Sequence, residues 1–261
     1  MQCAFTKATT CNRPTWFQEF HKSITMNDKP FRALFVGCDK GKEAVNALRM
    51  GSRNERYSIQ AWFEQLDPQH APQLLKAKNC FGQVEGIANV PDREASVVCL
   101  EPSLTEQLTH SAQELGWNIA LTFVQPSSTV SLDEFVPTVP QKFPASEPIH
   151  FLYISSFGYA FNILKAARET LARVQYVEFE YTWKGAWAEQ HLADAVAMLQ
   201  KKGFVCYWPG EDRLWRLSGC WQEYYSTHSW SRVACVNTAM PETKPLVDLM
   251  EQRFAETLSS I

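Results

Sequence analysis

Three sets of residues in this 261-residue chain could do chemistry. The first is a glycine turn. The apolar run RALFVG (32–37) enters Gly37-Cys38-Asp39-Lys40-Gly41, and KEAVNALRM (42–50) follows with helical spacing. Glycine permits a tight turn and close approach of a ligand, and a helix start offers unpaired N–H donors. The second is Glu101, the acid that closes ASVVCLE (95–101). In nucleoside-binding α/β folds an acid at such a place accepts hydrogen bonds from ribose hydroxyls. Together the two predict a nucleoside-type cofactor. The turn lacks both G-x-G-x-x-G and G-x-x-x-x-G-K-[ST], which disfavours a dinucleotide or a P-loop nucleotide. The third set is proton acceptors. Glu178 and Glu180 in VQYVEFEY (174–181) project the same way from a strand, with Lys184 in the loop after them. His150, His191 and His228 have suitable chemistry near neutral pH. Each has a plain structural alternative: a glutamate capping a helix, a solvated lysine, a histidine in packing. No C-x-x-C pair occurs, and no metal site is expected.

Positioning these residues requires strands that end where they stand. The chain alternates short apolar runs with amphipathic stretches. Runs 32–37, 95–101, 118–125, 148–155, 174–181, 203–208 and 231–237 read as strands. Helices are predicted at 42–50, over LTEQLTHSAQEL ending at Gly116, over FNILKAARETLARV, at 187–202 and over PLVDLMEQRFAETL. Ser103, with Glu106 three residues on, matches a capping box. Residues 67–96 and 137–148 are rich in proline or glycine and read as loops or insertions. The domain reading is a 1–30 extension followed by one domain over 31–261. Strand–helix alternation predicts a mainly parallel sheet with helices on both faces, whose ligands bind at the carboxyl ends of the strands.

Composition narrows the function. Twenty-five basic residues face 28 acidic ones, net −3, which argues against a nucleic-acid partner held by a general positive surplus. No apolar run approaches the roughly 20 residues that cross a bilayer. The first residues, MQCAFTKATTCNRPTWF, show no signal core, so an intracellular protein, cytoplasmic or organellar, is expected. Several of the eight cysteines sit in apolar runs and read as buried free thiols, which suggests a reducing compartment. Five of nine tryptophans lie between Trp187 and Trp230; packing is the expected use, an aromatic recognition surface the alternative.

The segments FVGCDKGKEAV, VVCLEPS, SLDEF, FLYISSFGYAFNILKAARETL and YVEFEYTWKGAW resemble the FkbM-type S-adenosylmethionine-dependent methyltransferases. GFVCYWPG, RLWRLSGCWQEYY and WSRVACVN are similar to a branch of that family common in algae and related protists, and the resemblance runs over residues 31–255. It implies a Rossmann-like methyltransferase fold with a seven-stranded sheet, its last strand antiparallel. It implies S-adenosylmethionine as cofactor, with Gly37, Asp39 and Gly41 along its methionine and ribose part, Glu101 on the ribose hydroxyls and Ser155 also on the cofactor, close to where the methyl group would be transferred. The acceptor would be a hydroxyl of a small molecule or glycan. One motif departs. Where the family reads K-I-D-x-E-G, this chain has Tyr153-Ile154-Ser155-Ser156-Phe157-Gly158. Serine and phenylalanine cannot replace two carboxylates as proton acceptors. Glu178, Glu180 and His228 are then the candidate catalytic residues. The cysteine-rich insertion of that branch is also missing from 67–96. The leading expectation is an O-methyltransferase. The alternative is a methyltransferase-fold protein without catalysis, serving as a structural or adaptor subunit with protein partners; a cofactor-binding sensor is a third.

Overall fold

The computed structural model describes residues 30–38, 41, 44–45, 47–48, 65–66, 95–101, 103, 105–125, 130–210, 213–226, 228 and 231–260. Strand β1 (Phe31–Val36) pairs in parallel with β2 (Ala95–Leu100) on one side and with β4 (Ile149–Ile154) on the other. Beyond β2 lies β3 (Leu121–Val124); beyond β4 lies β5 (Val174–Tyr181). Strand β8 (Ser231–Asn237) enters antiparallel between β5 and β6 (Phe204–Pro209). The order is β3-β2-β1-β4-β5-β8-β6-β7.

This is the Rossmann-like methyltransferase fold, with one addition. Among the described residues the sheet has eight strands, not seven: β7 (Leu214–Arg216) returns antiparallel along β6 as an edge hairpin. Three residues carry too little periodicity to be read as a strand beforehand. Continuous apolar runs such as RALFV and HFLYI follow from burial on both faces. One face packs Phe35, Phe151 and Tyr176 with the helical residues Ala44, Val45, Ala47 and Leu48, with α1 (Thr105–Glu114) and with the last helix (Lys244–Ser259). The other packs Leu34, Leu152, Ile154 and Phe179 beneath helices 160–173 and 192–201.

Local chemistry explains the remaining differences. The expected helix over 161–174 is two: α3 (Ala160–Ala166) and α4 (Arg168–Arg173), broken at Ala167. Asp133 of α2 (Leu132–Phe135) supplies the reason, since its carboxylate accepts from the Glu169 and Thr170 N–H groups and so satisfies the new helix start. The capping box lies at Ser131 and Glu134, not at Ser103. The helix expected at 187–202 begins later, as α5 (Leu192–Lys201), and Lys244–Ser259 is α6. Residues 95 and 96, at the end of the expected 67–96 insertion, belong to β2; residues 67–94 and 1–29 lie outside the described residues.

The cysteines correct the reading of buried thiols. Cys206 and Cys235 stand directly opposite on β6 and β8, Cα atoms 4.0 Å apart, and are bonded. The Cys206 N–H donates to Ser218 Oγ instead of across the ladder, so this is the close, non-hydrogen-bonded kind of antiparallel pair. Cys38 meets Cys99, Cα–Cα 6.2 Å, and Cys220 is also bridged. No described cysteine is free, which removes the ground for a reducing compartment. No helix among the described residues is long and apolar enough to cross a membrane.

Val98 and Leu152 are fully buried, as the central strands require, whereas Val36 at the strand tip is half-buried. Leu152→Ala should cost about 2–5 kcal/mol of unfolding free energy. Val36→Ala should cost clearly less. Chemical denaturation of both variants measures the difference.

Candidate functional site

Strand β1 has its two neighbours on opposite sides, and its chain connection leaves toward β2. A crevice at the carboxyl ends of β1 and β4 results, the place where such sheets bind ligands. Gly37 stands in it. Its N–H donates to the Leu100 carbonyl (2.8 Å), and its φ of +77° favours glycine. A Cβ there would overlap the Ser155 carbonyl oxygen. Ser155 in turn donates its N–H to the Val36 carbonyl (2.8 Å). The turn closes when the Gly41 N–H donates to the Cys38 carbonyl (2.7 Å). Gly41, φ +75°, then accepts from Val45 N–H (2.9 Å), where the helical residues begin. Asp39 lies outside the described residues.

Glu101 is buried at the tip of β2 and ties the turn down. Oε2 accepts from the Cys38 N–H (2.8 Å). Oε1 accepts from the Ser103 N–H (3.1 Å) and the Ser103 hydroxyl (2.8 Å). Thr105 Oγ1 donates to the Glu101 carbonyl. Ser103 thus orients the carboxylate, where the sequence suggested a helix cap. Ser156, one residue after Ser155, has a buried hydroxyl oxygen with no hydrogen-bond partner among the described residues. It follows Ser155, whose carbonyl abuts Gly37. Sequence reading passed over it; the only signal was its place one residue beyond an expected acid.

The β5 carboxylates are buried, as is the whole strand. Buried clusters on both faces and β4 and β8 alongside enclose all eight residues. Burial, then the charge of Glu178 and its hydrogen bond, push the Tyr176 hydroxyl well above the usual tyrosine range. It therefore stays protonated and donates to Glu178 Oε1 (2.7 Å). Arg232 on β8 stands opposite Glu180 in the ladder, its guanidinium 5.0 Å above the Tyr153 ring. Glu178 is level with Tyr153 inside the sheet; Glu180 lies beyond the last paired rung of β4, level with Ser155. His228 is not with them. Its Nε2 lies 3.0 Å from the Trp187 carbonyl and its ring 5.4 Å from Tyr181, whose side chain packs on the opposite face. His150 sits at the amino end of β4, where Nδ1 accepts the Arg32 N–H (2.9 Å), and His191 is exposed before α5. The structure brings Gly37, Gly41, Glu101 and Ser155 together and leaves His228 on the other side of the sheet from Glu178 and Glu180.

The aromatic segment packs. Trp187 stacks on Phe161 (5.7 Å) and meets Tyr181 edge-on (5.0 Å); Tyr181, Trp208 and Tyr225 continue the chain. Among the described residues no cluster of three or more histidine, cysteine or acidic side chains could hold a metal.

No protein-family model and no curated protein sequence matches the chain. Solved structures do align with it. A Rossmann-superfamily protein from Streptococcus agalactiae matches at 11% identity over 92% of this chain and 72% of its own, TM-score 0.40. The O-methyltransferase TomG from Streptomyces achromogenes, solved with S-adenosylmethionine, matches at 12% over 86% and 80%, TM-score 0.41. A Klebsiella pneumoniae structure described as that of "a putative O-methyltransferase" matches at 10% over 85% and 79%, TM-score 0.39. The fold assignment rests on the strand order itself.

Two glycines give a paired test. Gly116 also has a positive φ, +68°, but open space around its would-be Cβ. Gly116→Ala should cost roughly 1–2 kcal/mol, the left-handed penalty alone. Gly37→Ala adds the overlap with Ser155 and should cost about 3 kcal/mol or more. On β5, Glu178→Ala removes the acceptor of a buried tyrosine hydroxyl and should cost about 1.5–3 kcal/mol. Thermal and denaturant unfolding of the three variants reads all of these.

Proposed function

We propose that the chain is an S-adenosylmethionine-dependent methyltransferase of the FkbM type, acting on an oxygen of a small hydroxylated molecule or glycan. The observation that carries the reading is the Glu101 carboxylate, buried at the tip of β2 and joined to the N–H of Cys38 inside the glycine turn. This is where a nucleoside-binding α/β sheet presents an acid to ribose. The site also fits such a cofactor in its unmatched chemistry, since Ser156 presents a buried hydroxyl without a partner at the same strand ends.

In the proposed arrangement Gly37 and Gly41 expose backbone to the cofactor, Glu101 accepts from its ribose hydroxyls, and Ser155 and Ser156 line the side facing β4. When bound, S-adenosylmethionine would supply an electrophilic methyl to the acceptor oxygen and leave as S-adenosylhomocysteine, and the acceptor's hydroxyl proton would need a base. Of the three candidate proton acceptors, Glu178 already holds the Tyr176 hydroxyl and His228 lies on the far face. Glu180, level with Ser155, is the one we assign as base.

Calorimetry with S-adenosylhomocysteine tests the site. Glu101→Ala should weaken binding by about 1–3 kcal/mol without unfolding the protein. Glu180→Gln should leave that affinity unchanged and lower methyl transfer to an acceptor by about 100-fold or more. Absence of binding by the unaltered protein would favour the non-catalytic subunit. Binding that Glu101→Ala does not weaken would remove the assigned pocket.

A further inference from the structure

Six large apolar side chains are exposed among the described residues, and three of them stand in the loops that leave β4 and β5. These are Phe157, Tyr159 and Trp183, at 77%, 54% and 56% exposure. The two loops touch. A Cβ on Gly158 would overlap the Lys184 carbonyl, and one on Gly185 would lie 2.7 Å from the Phe157 carbonyl oxygen. Through Ser155 the same β4 loop lies against Gly37. The loops that carry these exposed rings therefore border the crevice assigned to the cofactor.

Two features set these rings apart from incidental surface. Phe157 has φ +49°, a left-handed conformation that is strained for a bulky residue. Its ring recovers nothing by burial, since it faces solvent. Trp183, in turn, has the Lys184 ammonium 5.8 Å over its ring. Flat exposed rings stack on flat ligands, and a cation beside them complements an oxyanion.

We propose that Phe157, Trp183 and Lys184 form the acceptor platform, and that the acceptor is a planar phenol held by stacking with its oxygen toward Lys184. The proposal rests on the methyltransferase reading and names its acceptor class. Proton chemistry supports it. A phenol loses its proton near pH 10, as tyrosine does, about six units below a hydroxyl with the acidity of water. Ser155, Ser156 and Phe157 offer no proton acceptor effective near neutral pH, so this loop asks little of a base and much of a ring. A phenol suits that change; a sugar hydroxyl does not.

The test uses the full chain without cofactor and 4-methylumbelliferone, a planar fluorescent phenol, read by fluorescence polarisation. Saturable binding is expected. Trp183→Ala and Phe157→Ala should each raise Kd about 5-fold or more, while Tyr224→Ala, exposed elsewhere, should not change it. Absorbance of the bound phenolate against pH should show an apparent pKa below that of the free probe, because the cation favours the anion, and Lys184→Gln should return it to the free value. Methyl glucopyranoside should not compete. All four positions are exposed, and circular dichroism confirms folding; Trp183→Leu and Phe157→Leu repeat the comparison with bulk retained. Absence of probe binding, equal Kd in both ring variants, an unshifted phenol pKa, or competition by the glucoside would overturn the proposal. S-adenosylhomocysteine calorimetry on the same samples separates the two levels. Cofactor binding without probe binding leaves the methyltransferase reading standing and ends the phenol proposal. Probe binding without cofactor binding ends the acceptor role.

Discussion

The contact on which the site depends is the approach of the Gly37 backbone to the Ser155 carbonyl. β1 and β4 run in register until Val36 meets Ile154, and their chains then part at the crevice. No side chain fits between them at Gly37. That constraint fixes the course of the turn, and the turn fixes which N–H groups it presents. The Cys38 N–H goes to Glu101, and the carboxylate is set in turn by Ser103. Three strand ends are therefore joined through backbone contacts and one buried acid, before any ligand is considered.

A buried charge needs partners, and Glu101 and Glu178 find them differently. Glu101 takes N–H and hydroxyl donors from its own surroundings at a strand end, which fixes its orientation. Glu178 takes the hydroxyl of Tyr176 two residues earlier on the same strand face. The first arrangement holds a carboxylate at the mouth of a crevice; the second stabilises strand β5 within the sheet. Their sequence contexts are alike, each acid following an apolar residue in a strand-forming run. Their functions separate only when the register places one at a carboxyl end and the other a rung inside.

Most of the sheet was legible because both-sided burial writes itself as unbroken apolar runs. VQYVEFEY and SRVACVN form strands with the expected bounds. The glycine turn and Glu101 were legible for the same reason: both sit where an apolar run stops. What the sequence hid depends on pairings distant along the chain. Nothing local marks Ala167 as a helix break; Asp133, from another helix, makes it one. Nothing local marks Cys206 as the partner of Cys235, because β8 must first insert between β5 and β6. The same long-range order put His228 across the sheet from the glutamates. Ser103 matched a capping pattern and serves Glu101 instead, since the side chain nearest its hydroxyl is two residues behind it.

Amide chemical-shift mapping during titration with S-adenosylhomocysteine tests the central claim most directly, because it reads the backbone of the turn itself. The account predicts saturable shifts concentrated at Gly37, Cys38, Gly41, Glu101, Ser155 and Ser156, with His150 at the opposite end of β4 unmoved. Saturable shifts centred elsewhere on the sheet, with those six residues silent, would contradict it.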